Sequence, residues 1–357
     1  AEAPRVCCKE HGVVTAFVPW ACHKSRFCSS FEDTVAWLAV NSTKKCIAEL
    51  MRIEWHTVGE IISRVYRELE NKPSKRFDNL VNIGIDETSY KKGHKYMTVV
   101  VNHDTNSVIW CSIGHKKEVL QKFFDGLTPE QRESIRCVSA NGARWIADCV
   151  KEYCPNAALC IDPFHVVSWA TDALDEVRRR AWSEANRAAR EAPKRHFGRP
   201  KNGETESPEK RLAGDLKATR YALPKNPQNL TEHQEEQLKF LTTANPRLYR
   251  AYLLKEDLRL ALKAGYESVS ELLRKWMSWA QRCRIPEFRE LRKKIKRNMT
   301  GILATAKHKL SNARIEATNN KIKLIIRRAY GFRNTDNLIS MVMMSCSAVK
   351  PMLPGRT

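Results

Sequence analysis

The chain has 357 residues, 62 of them Lys or Arg against 40 Asp or Glu, and a formal net charge of +22. That length suits two or three domains, one with a substantial core, and that charge favours a polyanionic partner. No apolar run of about 18 residues occurs, which argues against a membrane-spanning helix, and no charged-then-apolar leader opens the sequence. The twelve cysteines lie mostly within apolar stretches such as Ala158-Leu159-Cys160-Ile161, as suits reduced thiols in a cytoplasm better than a disulfide framework.

Residues 1–38 hold a Cys8-x2-His11 pair, with Cys22, His23 and Cys28 downstream. Tetrahedral zinc needs four ligands, usually two close pairs on separate knuckles. One pair is visible and the remaining spacing is irregular, so a partial zinc knuckle and ordinary thiols both stay open. Residues 39–74 read as a helix-turn-helix. Thr43 to Met51 is a short helix with Ile47, Leu50 and Met51 on one face, Arg52 to Glu54 turns, and Trp55 to Val65 is a second helix with Val58, Ile61, Ile62 and Val65 inward. Such a second helix can enter a major groove, with Lys44, Lys45, Trp55, His56, Thr57 and Arg64 as candidate DNA contacts. Any helical hairpin shows the same pattern, and Glu54 and Glu60 do not favour phosphate contact. Asn71 to Lys75 reads as a linker.

Residues 75–165 alternate strand and helix. Val81–Asp86, Tyr96–Val101 and Ser107–Ile113 are three strands, with the turn residues His103-Asp104-Thr105-Asn106 between the second and third. A helix over 117–127, a strand over 135–139, a helix over 143–153 and a strand over 157–161 follow. Three strands in meander and then two strand-helix units are the element order of an RNase H-like mixed α/β sheet. In that fold the first and fourth strands lie parallel and adjacent, making Asp86 and Asn141 neighbours at the carboxyl ends where ligands gather. Residues 166–300 read as a long helical insertion containing a polar, Gly- and Pro-rich stretch over 190–210, expected to be mobile. Trp276 and Trp279 read as core in preference to a base-stacking platform. Residues 301–357 return to the core with Glu316. From Glu287 to Arg333 fourteen Lys or Arg stand against three Glu, half of the net excess of charge. This run holds Arg314, Lys321, Arg327, Arg328 and Arg333 as further candidate DNA contacts. Asp162 and His165 are candidates for a supporting shell or for flanking DNA, and His165 could equally cap a helix.

Asp86, position 141 and Glu316 thus sit where apolar elements end, and carboxylates in such places can converge on Mg²⁺ or Mn²⁺ for phosphodiester chemistry. A lone Asp at a strand end is ordinarily a turn residue; the inference rests on the set.

Five ordered motifs carry a resemblance over nearly the whole chain. They are Gly84-Ile85-Asp86-Glu87, Lys91-Lys92-Gly93-His94, Val138-Ser139-Ala140-Asn141-Gly142-Ala143, Asp162-Pro163-Phe164-His165-Val166, and Asn312 to Asn320 closed by Arg327 to Arg333. The sequence resembles the ISL3 group of insertion-sequence transposases. The resemblance implies a DDE catalytic set at Asp86, position 141 and Glu316, and a helix-turn-helix reading terminal inverted repeats. It further implies a zinc knuckle whose second half is Cys8 and His11 and whose first half precedes Ala1. The family pattern has aspartate where this chain has Asn141. A neutral amide offers one oxygen and no charge, so weak strand cleavage with retained DNA binding is expected.

The expectation is a Mg²⁺-dependent transposase acting on double-stranded DNA, both terminal repeats and target, as at least a homodimer, in the cytoplasm at the nucleoid. A catalytically silent DNA-binding regulator and a structure-specific nuclease on the same fold are the rival readings.

Overall fold

A computed structural model describes residues 4–22, 25–72, 75–191 and 208–355. In chain order the elements are β1 (Arg5–Cys8), β2 (Gly12–Thr15), α1 (Ser29–Asn41), α2 (Lys44–Met51), α3 (Trp55–Asn71), β3 (Asn82–Lys91), β4 (Lys95–Asn102) and β5 (Ser107–Ile113). Next come α4 (Lys117–Asp125), α5 (Pro129–Ser134), β6 (Cys137–Ala140), α6 (Arg144–Tyr153), β7 (Ala158–Ile161) and α7 (Pro163–Glu191). The remaining helices are α8 (Pro208–Ala218), α9 (Glu232–Ala244), α10 (Pro246–Lys263), α11 (Tyr266–Arg282), α12 (Pro286–Arg297), α13 (Met299–His308), α14 (Ala313–Arg328) and α15 (Thr335–Cys346). Contacts divide the chain into one unit of residues 1–157 with 312–357 and a second of residues 158–311. Sequence reading drew the insertion at 166–300. Within the second unit, Thr305 of α13 donates its hydroxyl to the Ile161 carbonyl of β7 at 2.8 Å, so both elements join the helical unit.

In the first unit, local chemistry starts and stops the helices near the N-terminus. The Thr43 hydroxyl accepts the Cys46 amide at the head of α2, and Arg52 ends it in a left-handed conformation. On α3, Val58, Ile61, Ile62 and Val65 follow helical spacing and are all buried. Leu50, expected inward, is exposed because α2 buries only Ile47. The hairpin β1–β2 and helices α1 and α5 were not anticipated. Short β1 has no alternating apolar pattern, while α5 is set by a Thr128–Gln131 capping box beside Pro129. Helix α1 packs on α3, and α15 packs on α3 and β5. One core joins Val35, Ile47, Ile61 and Ile62 to Met97, Val99, Ile322 and Val342.

The sheet of this unit runs β5-β4-β3-β6, antiparallel except for the parallel pair β3–β6. The β4–β5 turn forms where expected: the Asn102 side chain accepts the amides of Asp104 and Thr105, and Asn106 has φ +53.

The second unit has its own apolar core, from Val166 and Leu174 of α7 through Leu254 and Leu258 to Trp276 and Phe288. Trp276 is fully buried with its indole N–H on the Leu254 carbonyl at 2.8 Å, a core role as expected. Buried Glu256 pairs with Lys255 and Arg259, and the Lys255 ammonium also donates to the Lys225 carbonyl at 3.1 Å. Of the stretch 190–210, residues 192–207 lie outside the described residues, as do Pro73 and Ser74 of the expected linker.

Candidate active site and nucleic-acid interface

Helix α14 crosses β3 at Gly84. A Cβ built there would stand 2.1 Å from Ile315 Cδ1 and 2.6 Å from His103 Nε2, so any side chain at 84 forces these two buried neighbours to move. Alternation along β3 then puts Asp86 on the same face as Gly84, under the next turn of α14. There Asn319 Nδ2 donates to Asp86 Oδ2 at 2.8 Å, with both side chains buried. Glu316 lies three residues before Asn319, on the same side of the helix and half-buried.

Strand β6 brings the third position. The parallel register pairs Gly84 with Ser139 and Ile85 with Ala140, the last residue of β6, and Asn141 follows where that strand ends. Asn141 Oδ1 accepts the Ala143 amide at 2.9 Å, a local turn that leads the chain into α6. Asp86 and Asn141, remote in sequence, thus stand toward the ends of paired strands, and Glu316 lies on the helix that crosses β3.

Two further residues lie beside these positions and were not singled out from sequence, Asn319 and His103. Asn319 holds Asp86; its spacing of three from Glu316 on a helix was the available signal. His103, read only as a turn residue, is buried with Nε2 on Ser139 Oγ at 2.7 Å. Burial, and then the nearby Arg314 charge, push its pKa down to about 4, so the ring is neutral near pH 7. Arg314, a candidate DNA contact, donates a guanidinium N–H to the His103 carbonyl and thereby ties α14 to the β4–β5 turn.

Glu87 points to the opposite face, toward Trp145 of α6. Burial, and then the Asp86 charge, raise its pKa from 4.5 to about 7, against a lowering hydrogen bond from Trp145. A carboxyl whose pKa is higher folded than unfolded holds its proton better in the folded state, so stability falls as pH rises from about 4.5 through about 7. Glu87→Gln, which keeps an acceptor for Trp145, is expected to melt higher than the parent at pH 8 in metal-free buffer. At pH 4 the two should melt together. Parallel melting curves against pH would assign the effect elsewhere.

The oxygen-rich set of Asp86, Glu316 and the Asn141 and Asn319 amides suits a hard cation such as Mg²⁺ or Mn²⁺ rather than a soft one. Asn319 Oδ1 is buried without a hydrogen bond, a further oxygen beside Asp86. Among the described residues no group of three His, Cys, Asp or Glu has the arrangement of a metal site. With an amide at 141, the predicted set holds two carboxylates, Asp86 and Glu316.

In the hairpin β1–β2, Cys8 Sγ lies 3.5 Å from His11 Nδ1. The amides of Glu10 and His11 point at the sulfur and lower its pKa, favouring thiolate. Cys22 and Cys28 are not joined to this pair, and His23 lies outside the described residues.

The candidate DNA contacts divide by what they already hold. Trp55, His56, Lys45, Arg327 and Arg333 are exposed, and Thr57 is half-buried. Lys44, half-buried with its pKa lowered by burial, sits with Nζ 5.8 Å from the Phe332 ring. Lys321 donates to the Ser345 carbonyl at 2.6 Å and Arg328 to the Val40 carbonyl at 2.7 Å, near the carboxyl ends of α15 and α1, where cations are favoured. Arg64 binds Glu32 at 2.7 Å, and the Glu32 side chain is 2% exposed. Arg64→Ala would leave that buried carboxylate uncompensated in charge, with the Ser25 hydroxyl at 2.7 Å still donating to it, and a loss of about 3 kcal/mol is expected in denaturant unfolding. A change within about 0.5 kcal/mol would make the pair a surface contact. A groove of about 1690 Å³ runs between α2, the start of α3 and the segment from Arg328 to Asn334. Asp162 and His165 belong to the second unit; Asp162 Oδ1 accepts the Phe164 amide at 2.6 Å, so Asp162 rather than His165 caps α7.

Residues 83–342 match a family model described as a transposase, and residues 18–66 match the helix-turn-helix domain of transposase family ISL3. The chain belongs to the ISL3 family of transposases. It is 51% identical over 356 residues to the transposase for insertion sequence element IS1557 of Mycobacterium tuberculosis, covering all of this chain and 80% of that protein. It is 26% identical over 321 residues to the transposase for insertion sequence element IS1001 of Bordetella parapertussis, covering 89% of this chain and 73% of that one. The helix-turn-helix of this transposase spans α1, α2 and most of α3, one helix more than the sequence reading assigned. No helix among the described residues is long and apolar enough to cross a membrane.

Proposed function

We propose that this transposase binds the terminal inverted repeats of its element through the helix-turn-helix and cuts them at an RNase H-like DDE site made of Asp86, position 141 and Glu316. The observation that supports the reading is the meeting of β3 and α14, where Asn319 holds Asp86 at 2.8 Å, together with the parallel β3–β6 pairing whose last pair, Ile85 and Ala140, directly precedes Asp86 and Asn141. A divalent ion such as Mg²⁺ or Mn²⁺ would supply positive charge at the scissile phosphate. Asp86 and Glu316 would hold it, with Asn141 as a weak third donor. Asn319 keeps the Asp86 carboxylate turned toward α14, and neutral His103 supports the strand ends without adding charge. In the first step water attacks phosphorus and the strand's 3′ oxygen leaves, taking a proton. In the second, that hydroxyl attacks a target phosphorus and displaces the target's own 3′ oxygen.

Cys8 and His11 would give two of four ligands to a structural zinc, their 3.5 Å separation matching the edge of a tetrahedron with ordinary Zn–S and Zn–N bonds. Pairing two DNA ends calls for at least a homodimer on DNA, acting at the nucleoid. Asn141 favours one second reading, a DNA-binding regulator that has lost cleavage. Footprinting on inverted-repeat DNA with Mg²⁺ present tests both: protection with nicking supports the transposase, and protection without nicking supports the regulator. No protection would remove both.

A further inference from the structure

The end of α14 carries a tyrosine where the backbone calls for glycine. The Gly331 amide returns to the Ile326 carbonyl at 2.9 Å and the Tyr330 amide to the Arg327 carbonyl at 3.0 Å, a Schellman closure. Tyr330 occupies its left-handed position with φ +52, a conformation costly for a side chain with a Cβ. Such strain is usually repaid by packing, yet the Tyr330 ring is 98% exposed. The segment around it is held firmly. Arg328 anchors to the Val40 carbonyl, Phe332 lies beneath Lys44, and the Asn334 side chain caps α15. Tyr330 therefore stands as a solvent-facing ring on a well-anchored segment at the rim of the groove, with Trp55 of the helix-turn-helix also lining it and the exposed cations Arg327 and Arg333 nearby.

We propose that Tyr330 is a stacking residue for an unpaired base at the cut end of the DNA. The inference rests on the transposase reading above. Aromatic rings among arginines accept any base by its face while the cations hold phosphate, and strained, exposed positions mark functional contacts. Twelve helical steps run from Glu316 to Arg328 at the end of α14, about 18 Å of rise, and Tyr330 lies two residues beyond. The base it meets lies within about six base pairs of the scissile phosphate.

The test uses the full chain and short duplexes carrying a fluorescent purine analogue at successive steps from one end, each fully paired or mismatched at the probe. The parent chain is expected to bind the mismatched duplex about ten-fold tighter than the paired one and to quench the probe at one step. Tyr330→Phe should keep that preference. Tyr330→Ala and Tyr330→Gly should lose it while binding paired duplex within about two-fold of the parent. Tyr330→Gly should also melt about 2 °C higher, since glycine relieves the helix end. A merely structural tyrosine would give a lower melting temperature instead, and that result overturns the inference. So does an unchanged base preference in Tyr330→Ala, or altered self-association as the sole effect, which would make this rim a surface for a second copy. If the parent chain binds no DNA at all, the transposase reading falls and takes the inference with it.

Discussion

Asn141→Asp is expected to cut DNA at least about a hundred-fold faster than the parent chain in a metal-dependent nicking assay. Removing a residue that merely orients a metal ligand commonly costs about 10- to 100-fold, and a missing first carboxylate should exceed that range. The substitution adds one oxygen and one negative charge to the proposed set of Asp86 and Glu316. It leaves the local fold alone, because Asn141 Oδ1 now accepts the Ala143 amide at 2.9 Å and a carboxylate oxygen can do the same. Melting temperatures should agree within about 1 °C, as for a change that breaks no contact. Glu316→Gln in the Asn141→Asp chain should return cleavage to the parent level. Equal rates for the parent and Asn141→Asp would take position 141 out of the mechanism.

Gly84→Ala is expected to cost about 2–3 kcal/mol of unfolding free energy and to abolish cleavage in the Asn141→Asp background. The added Cβ would fall 2.1 Å from Ile315 Cδ1, and the strand below cannot retreat because Ile83 and Ile85 are fully buried on its other face. Ile315, fully buried against the sheet, has to move, and the strain passes to α14, to the Asn319 bond to Asp86 and to the placement of Glu316. Ile315→Ala added to Gly84→Ala should recover part of the stability, a coupling of about 1 kcal/mol or more between touching residues. Recovery should be incomplete because His103 Nε2, at 2.6 Å, still crowds the new methyl. Additive losses in the double variant would show that the two residues do not meet.

Periodicity carried far in this chain. The inward face of α3, the order of β3 to β7 and the turn at His103–Asn106 follow from spacing and turn chemistry that a reader of the sequence can apply directly. The hairpin β1–β2 and α1 escaped because the hairpin is exposed on both faces and α1 lacks a side-chain cap. Arg64, Lys321 and Arg328 look alike as free cations in sequence, yet one pairs with a buried carboxylate and two donate to main-chain carbonyls near helix ends. Nothing local to those residues records the partners, which lie 32, 24 and 288 positions away.

The order of residues was enough to establish the candidate catalytic positions, the amide at 141 and the excess of positive charge, since each is a matter of residue type and local pattern. Folding decided the rest. Gly84 lets α14 reach β3, so that Asn319 meets Asp86 across 233 positions of chain. It also set which cations remain exposed and left one strained tyrosine facing solvent. Those outcomes depend on close packing between distant segments, where a clash of less than an ångström or a single buried donor selects the partner.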